Sequence, residues 1–171
     1  STLAQVTEVG FSPAGIDVLG GYGIMHDNTT KGRFYTTALN DFTTIDVLDF
    51  ANAESRPDDI VRIFVDRGEA WMIGEETTEV YRLSGTSFPL EKITGSETGR
   101  GTAAQFSVAS DDNAIFMLGD DGIVYRYEGY TPVRISTHSV ERLIAAVASM
   151  ATGEAFFMQV SGNKFYTLRF P

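Results

Sequence analysis

The chain contains no cysteine, so neither disulfides nor thiolate-bound zinc can hold it together. Histidine is almost as scarce, with His26 and His138 alone. Two histidines are too few for a histidine-rich metal centre and leave little choice for a catalytic triad. Neither a GxSxG nucleophile elbow nor an HExxH helix occurs. Basic residues are outnumbered, 13 Lys and Arg against 23 Asp and Glu, which sets the net charge at −10 and the pI near 4.5. That balance argues against general binding to DNA phosphates, which depends on Lys and Arg displacing counterions. The acids are spread along the chain, where they promote solubility and repel other acidic surfaces. No apolar run approaches the roughly 18 residues of a membrane span. The N-terminal STLAQVTEVG lacks a basic segment followed by an apolar one and is not read as a signal peptide.

What is present is a folded-domain composition, 43% hydrophobic and 21% charged over 171 residues. That length suits one domain with a real core and is short for two large ones. A phrase recurs within it: an apolar run centred on Met, a turn, and a second run ending in an aromatic pair or Val-Tyr. The copies are GEAWMIGEETTEVYRL from Gly68, NAIFMLGDDGIVYRY from Asn113, GEAFFMQVSGNKFYTL from Gly153 and, more loosely, GYGIMHDNTTKGRFYTT from Gly21. Tyr35, Tyr81, Tyr125 and Tyr166 mark a period of 41–46 residues. A period of that size in a strand-rich chain is the mark of propeller blades. The expected fold is therefore all-β, a β-propeller or propeller fragment spanning residues 1–171, with about four repeats of four-stranded antiparallel blades.

In the second repeat, Ile60 to Val65, Ala70 to Ile73, Thr78 to Leu83 and Phe88 to Ile93 read as strands. The third repeats the plan with Gln105 to Ala109, Ala114 to Leu118, Ile123 to Tyr127 and Pro132 to Ile135. Asp120-Asp121-Gly122 and Ser161-Gly162-Asn163 sit where tight hairpins are needed. The first repeat is blurred: Arg33 to Ala38 and Thr44 to Phe50 read as strands around a longer loop, Asn28 to Gly32. Trp71, Phe116, Phe156 and Phe157, recurring with the blades, are expected to pack blade against blade, with Met72, Met117 and Met158 filling the gaps. Two segments break the rhythm. After Ser136-Thr137-His138-Ser139, Val140, Leu143, Ile144 and Val147 follow helical spacing, with Ser or Thr as N-cap and Glu141 near the positive end of the dipole, predicting one short amphipathic helix. The Gly-rich stretch Thr94 to Ala104 has little to bury and is expected to run mobile over the surface.

The polar motifs read most simply as structure. His138 sits at the predicted helix start as a cap residue, and His26 ends a strand. Asp58-Asp59, Glu75-Glu76, Asp111-Asp112 and Asp120-Asp121 fall at turns, where Asp is wanted for backbone reasons, and none has the spacing of a calcium loop. GSETGRG, Gly95 to Gly101, lacks the GK[ST] ending of a phosphate loop, and no helix begins there. Arg100 is a candidate contact for a carboxylate or phosphate on a partner, set against the simpler reading of a flexible interblade loop. Asn28-Thr29-Thr30 fits a glycosylation sequon that matters only in a secreted eukaryotic protein.

Several long motifs, in order, resemble the tail-hub or packaged-DNA stabilisation proteins of short-tailed phages: RFYTTALNDFTTIDVLDFANAE (Arg33 to Glu54), GEAWMIGEETTEVYRLSG (Gly68 to Gly85), FPLEKI (Phe88 to Ile93), SVASDDNAIFMLGDDGIVYR (Ser107 to Arg126) and GYTPVRISTHSVE (Gly129 to Glu141). Members of that family are longer than this chain. Together with the absent initiator Met and the stop at Arg169-Phe170-Pro171, this leads us to expect an excised piece of a longer protein. The resemblance implies a virion structural protein, made in the bacterial host cytoplasm, that docks on the portal-adaptor assembly after DNA packaging, retains the genome and carries tail fibres or spikes. It implies no catalytic residues and no cofactor. Expected partners are other phage tail and portal-adaptor proteins and further copies of the chain, since open sheet faces and edges invite cover. No specific nucleic acid, membrane or small-molecule substrate is expected. Candidate contact residues are Gly95, Gly99 and Arg100 in the Gly-rich stretch and His138, Glu141 and Arg142 in the helix, the two elements that interrupt the repeat. A competing reading is a carbohydrate-binding or glycoside-hydrolysing propeller of a phage tail, in which carboxylates from different blades flank a glycosidic bond.

Overall fold

Four two-residue turns set the frame of the structure, a computed structural model that describes residues 10–53 and 58–171. They join β1 (Pro13–Leu19) to β2 (Tyr22–Asp27), β5 (Ile60–Asp66) to β6 (Glu69–Gly74), β9 (Ala109–Asp111) to β10 (Ala114–Leu118) and β13 (Glu154–Val160) to β14 (Asn163–Arg169). The pairs that close them are Leu19↔Tyr22, Asp66↔Glu69, Asp111↔Ala114 and Val160↔Asn163. Both loop residues have positive φ in every case, as in Arg67 (49°) with Gly68 (81°) and Ser161 (49°) with Gly162 (82°). This is the type I′ geometry whose twist matches the flanking strands. The first nine residues, on which the reading of the N-terminus rests, and Glu54 lie outside the described residues.

Each of the first three hairpins grows by two further strands into a four-stranded antiparallel sheet with neighbours in chain order. β3 (Arg33–Ala38) and β4 (Asp41–Asn52) complete the first, β7 (Thr78–Leu83) and β8 (Leu90–Lys92) the second, β11 (Val124–Glu128) and β12 (Thr131–Arg134) the third. A helix, α1 (His138–Ala145), and a 3-10 turn at Met150–Thr152 follow, and then the fourth sheet, β13 and β14 alone. The sheets stack face to face as blades, and the fold is the expected all-β one with a single short helix among the described residues.

Strand alternation divides each hairpin into two faces. Cross-strand pairs Ile63↔Met72 and Phe157↔Tyr166 turn toward the preceding sheet, while Phe64↔Trp71 and Ala109↔Phe116 turn toward the following one. Leu19, Ile24 and Phe34 thus meet Ile63, Met72 and Tyr81 between sheets one and two. Trp71, Ile73 and Val80 meet Ile115, Met117 and Tyr127 between two and three. Between three and four, Leu118, Val124 and Ile144 are covered by Tyr166, Leu168 and Phe170. The Asp17 carboxylate accepts the Val65 amide at 2.7 Å, tying the innermost strands β1 and β5 together.

The fourth repeat departs from its expected alignment. GEAFFMQV and NKFYTL were matched to second and third strands, but they form the first and second. Glu154 bridges to Phe106 in parallel, the Ala155 amide donates to the Phe106 carbonyl at 2.8 Å, and the hairpin tip lies over that of β9 and β10, where Lys164 pairs with Asp111 and Asp112 at 2.8 Å. Tyr166 therefore occupies the place of Met72 and Met117, not that of Tyr125. Phe157 packs edge-on against Phe116 at 5.0 Å as expected of a core residue, but Phe156 and Met158 point away and are 49% and 42% exposed. Trp71, Met72 and Met117 are buried as expected, and Phe116 is half-buried.

Three further differences have plain causes. Thr94 to Ala104 is pinned, not mobile: Thr98 exchanges backbone bonds with Thr78, the Ser96 hydroxyl accepts the Val80 amide, and the buried Thr102 hydroxyl donates to Leu118 O at 2.8 Å. Small polar side chains supply the burial that apolar ones do not. The strand expected at Gln105 to Ala109 begins only at Ala109, because Phe106 turns aside to meet Glu154. In α1, Thr137 is the N-cap without a side-chain bond, while Ser136 Oγ accepts the Val124 amide and donates to Glu141.

Candidate interaction surfaces

The helix and the β10–β11 turn enclose a groove of about 770 Å³, lined by His138, Glu141, Arg142, Ile144 and Met150 on one side and Asp121 to Ile123 on the other. Glu141, His138 and Asp121 of its wall are paired within the chain. Arg134 clasps the Glu141 carboxylate through Nε at 2.8 Å and a terminal nitrogen at 2.6 Å, and Ser136 adds a third bond at 2.7 Å. Those donors, Arg134 first, hold the Glu141 carboxyl below its ordinary range. His138 Nδ1 lies 2.8 Å from Arg134. Asp121 receives the Tyr125 hydroxyl at 2.7 Å and pairs with Arg100 at 3.2 Å. Burial, reinforced by the Asp121 carboxylate, pushes the Tyr125 phenol up to about 12.

Of the six candidate contact residues, the structure thus gathers four. His138, Glu141 and Arg142 line the groove, and Arg100 reaches it through Asp121. Gly95 and Gly99 are exposed, with nothing within 4 Å of where a Cβ would stand, and lie apart from it. The helix buries only Ile144 of its apolar stripe. Val140 and Leu143 stay 44% and 72% exposed beside the groove, an apolar edge among paired charges.

The acidic pairs serve the turns, as their positions suggest. Asp58 accepts the Glu76 and Thr77 amides and the Thr77 hydroxyl, and Asp111 and Asp112 hold Lys164. Among the described residues no group of three or more His, Asp or Glu is arranged to hold a metal ion. His26 is buried beside a cavity of about 260 Å³, and neither ring nitrogen has a hydrogen-bond partner among the described residues. Burial, followed by the nearby Arg62 charge, lowers its pKa. No helix among the described residues is long and apolar enough to cross a membrane, which says nothing of β-barrels.

Exposed apolar residues also lie on the outward faces of the first and fourth sheets. On the fourth sheet Phe156, Met158, Val160 and Phe165 are each 42–49% exposed. On the first, Ile16 and Val18 of β1 are 56% and 45% exposed, while Met25 is buried and Tyr35 is covered by Phe11, stacked on it at 4.0 Å. Of these, the sequence reading placed Phe156 and Met158 in the core and left Ile16, Val18, Val160 and Phe165 unassigned. Counting from the closing pair of each hairpin would have placed Phe165 at the position of Trp71 and Phe116.

Comparison with known proteins gives a family and distantly similar solved structures. The family model described as "Bacteriophage P22 Gp10, beta-propeller" matches residues 2–171. No protein of curated function matches the chain. Among solved structures, PorZ, a bacterial surface component of the type-IX secretion system of Porphyromonas gingivalis, is similar at 14% identity and a TM-score of 0.38, over 72% of this chain. The chain spans 16% of the length of that structure.

Proposed function

Because the chain belongs to the phage stabilisation family typified by bacteriophage P22 Gp10, a β-propeller family, we propose that it acts through protein contacts as a tail-hub component. In this reading it docks on the portal-adaptor assembly after packaging, helps retain the genome and offers a platform for fibres or spikes. The observation that carries the reading is the family match across residues 2–171. The geometry supports it in kind: the stacked sheets carry a groove at α1, and the same helix holds Val140 and Leu143 exposed near the Arg134–Glu141 pair. A contact there covers apolar surface whose charged neighbours Arg134 and Glu141 already pair with each other. The net charge of −10 suits a part that surrounds a DNA exit without gripping it.

Co-sedimentation with purified portal-adaptor particles that lack the hub tests the reading. Saturable binding, weakened by Leu143→Glu, is the expected result. Failure of both this chain and the full-length phage protein to bind would remove the docking role. Release of reducing ends from host surface polysaccharide, or saturable glycan binding, would favour the carbohydrate-directed alternative.

A further inference from the structure

The outermost strand of the first sheet, β4, leaves its ladder with β3 in mid-strand. Between the pairs Thr37↔Ile45 and Tyr35↔Phe50, Asp46 to Asp49 stand opposite Thr36 alone. The surplus residues have no partner in the ladder, so the chain bulges out of it. Asp46 Oδ1 accepts the Leu48 amide at 2.9 Å, the local turn that an aspartate favours, and this holds the bulge in shape. Asp46 and Asp49 border a cavity of about 170 Å³ shared with Ser87 and Pro89 of the second sheet, while Val47 lies against Gly10. Leu48, at the head of the bulge, is 85% exposed, more than any other large apolar side chain among the described residues.

We propose that this bulge is a docking knob, and that Leu48 inserts into an apolar pocket rimmed by Lys or Arg on a different protein of the phage tail. Blades stack through their faces with β1 and β5 innermost, so the outer edge on which Leu48 stands is the side that no neighbouring blade covers. The charge around the knob selects its partner. From Phe34 to Asn52 the chain carries Asp41, Asp46 and Asp49 and neither Lys nor Arg. Asp46 and Asp49 have no ion-pair partner among the described residues. The groove at α1 differs in this respect, because there Arg134 already neutralises Glu141. Open carboxylates beside an exposed leucine attract a cationic surface and repel an acidic one. A second copy of this chain, with a net charge of −10, is therefore the wrong occupant. This inference rests on the tail-hub reading.

Photo-cross-linking in assembled virions tests it. The full-length phage protein carries benzoylphenylalanine, an apolar photoreactive side chain, in place of Leu48. Illumination is expected to give one adduct, with a different virion protein and at an apolar residue of a basic surface. In the same background, Asp46→Asn with Asp49→Asn keeps the acceptor for the residue 48 amide but removes the charges, and is expected to cut the adduct yield by about threefold or more. An unchanged yield overturns the proposal, as does an adduct with a second copy or protein that enters virions and gives no adduct. Leu48→Glu supplies a second readout that does not depend on the photoreactive group. It is expected to keep the far-UV dichroism of the wild type and to lose about tenfold in entry into virions when the two compete. Equal entry overturns the proposal. Absence of the wild-type protein itself from virions would remove the tail-hub reading, and the knob with it.

Discussion

Replacing Trp71 and Phe165 by alanine in parallel compares a covered and an uncovered aromatic residue at the same place in their blades. Trp71 is 1% exposed, edge-on to Tyr127 at 5.1 Å and tilted against Tyr130 at 5.9 Å. A buried tryptophan hides roughly 150–250 Å², which at about 25 cal/mol per Å² corresponds to roughly 4–6 kcal/mol. Its indole nitrogen has no hydrogen-bond partner among the described residues, and removing such a group returns about 1–3 kcal/mol. The expected loss for Trp71→Ala is therefore about 3 kcal/mol, near the low end of the range for large aromatic truncations. Phe165 is 48% exposed, so truncation forfeits about half a transfer term and leaves no cavity, a loss of about 1 kcal/mol. Urea unfolding followed by far-UV circular dichroism at a concentration where the chain is monomeric is the suitable assay, since Trp71 is the only tryptophan and its fluorescence disappears with it. Equal losses at the two positions would refute the assignment of faces, and so would a loss at Trp71 no larger than that expected at Phe165.

Acidification should weaken the fold through His26. Its folded pKa lies below 6.5, chiefly through burial and then Arg62, with Asp27 and Asp59 opposing. The unfolded chain therefore takes the proton first, so stability is flat above about pH 6.5 and falls as pH drops below it. His26→Gln should flatten that slope in urea midpoints measured across pH 5 to 7.5. The Ser107 hydroxyl is fully buried and bonds Ala104 O at 2.8 Å, Leu118 N at 3.2 Å and Thr102 at 3.1 Å. Ser107→Ala should cost about 2 kcal/mol, and a loss below about 0.5 kcal/mol would show the network to be dispensable. By hydrogen exchange, the Thr98 and Thr102 amides should be protected and the Gly99 amide fast, whereas a uniformly fast segment would mean that the pins at Thr78 and Gly74 do not hold.

Much of the architecture could be read from the chain because its signals are local. The runs around Met72 and Met117 are continuously apolar, as strands covered on both faces require, and Asp120-Asp121-Gly122 and Ser161-Gly162 have residues suited to tight turns. The fourth repeat misled for a local reason as well. Phe156-Phe157-Met158 resembles the Trp71-Met72 run in content, but which strand position a hairpin takes is decided by its neighbours, here Phe106 and Asp111, which no short window contains. Exposure at Met158 follows from the same cause. The Gly-rich stretch looked empty because its burial is carried by Ser96, Thr102 and Ala104, side chains that give no hydrophobic signal. At the candidate surface, His138, Glu141 and Arg142 were legible as parts of one helix. Their link to Arg100 runs through Asp121 and Tyr125, a contact between segments about 20 or more residues apart that spacing does not reveal.

The assignment of faces, on which the stacking of the fourth sheet on the third depends, is tested most directly by a double-mutant cycle on Phe116→Ala and Tyr166→Ala, whose rings stack at 5.7 Å. If β14 is the second strand of the fourth sheet, the two losses in urea unfolding should be coupled by about 0.5–1.5 kcal/mol. If Tyr166 instead lay on a third strand, as Tyr125 does, the losses would add with no coupling, and the outward faces described above would be wrongly drawn.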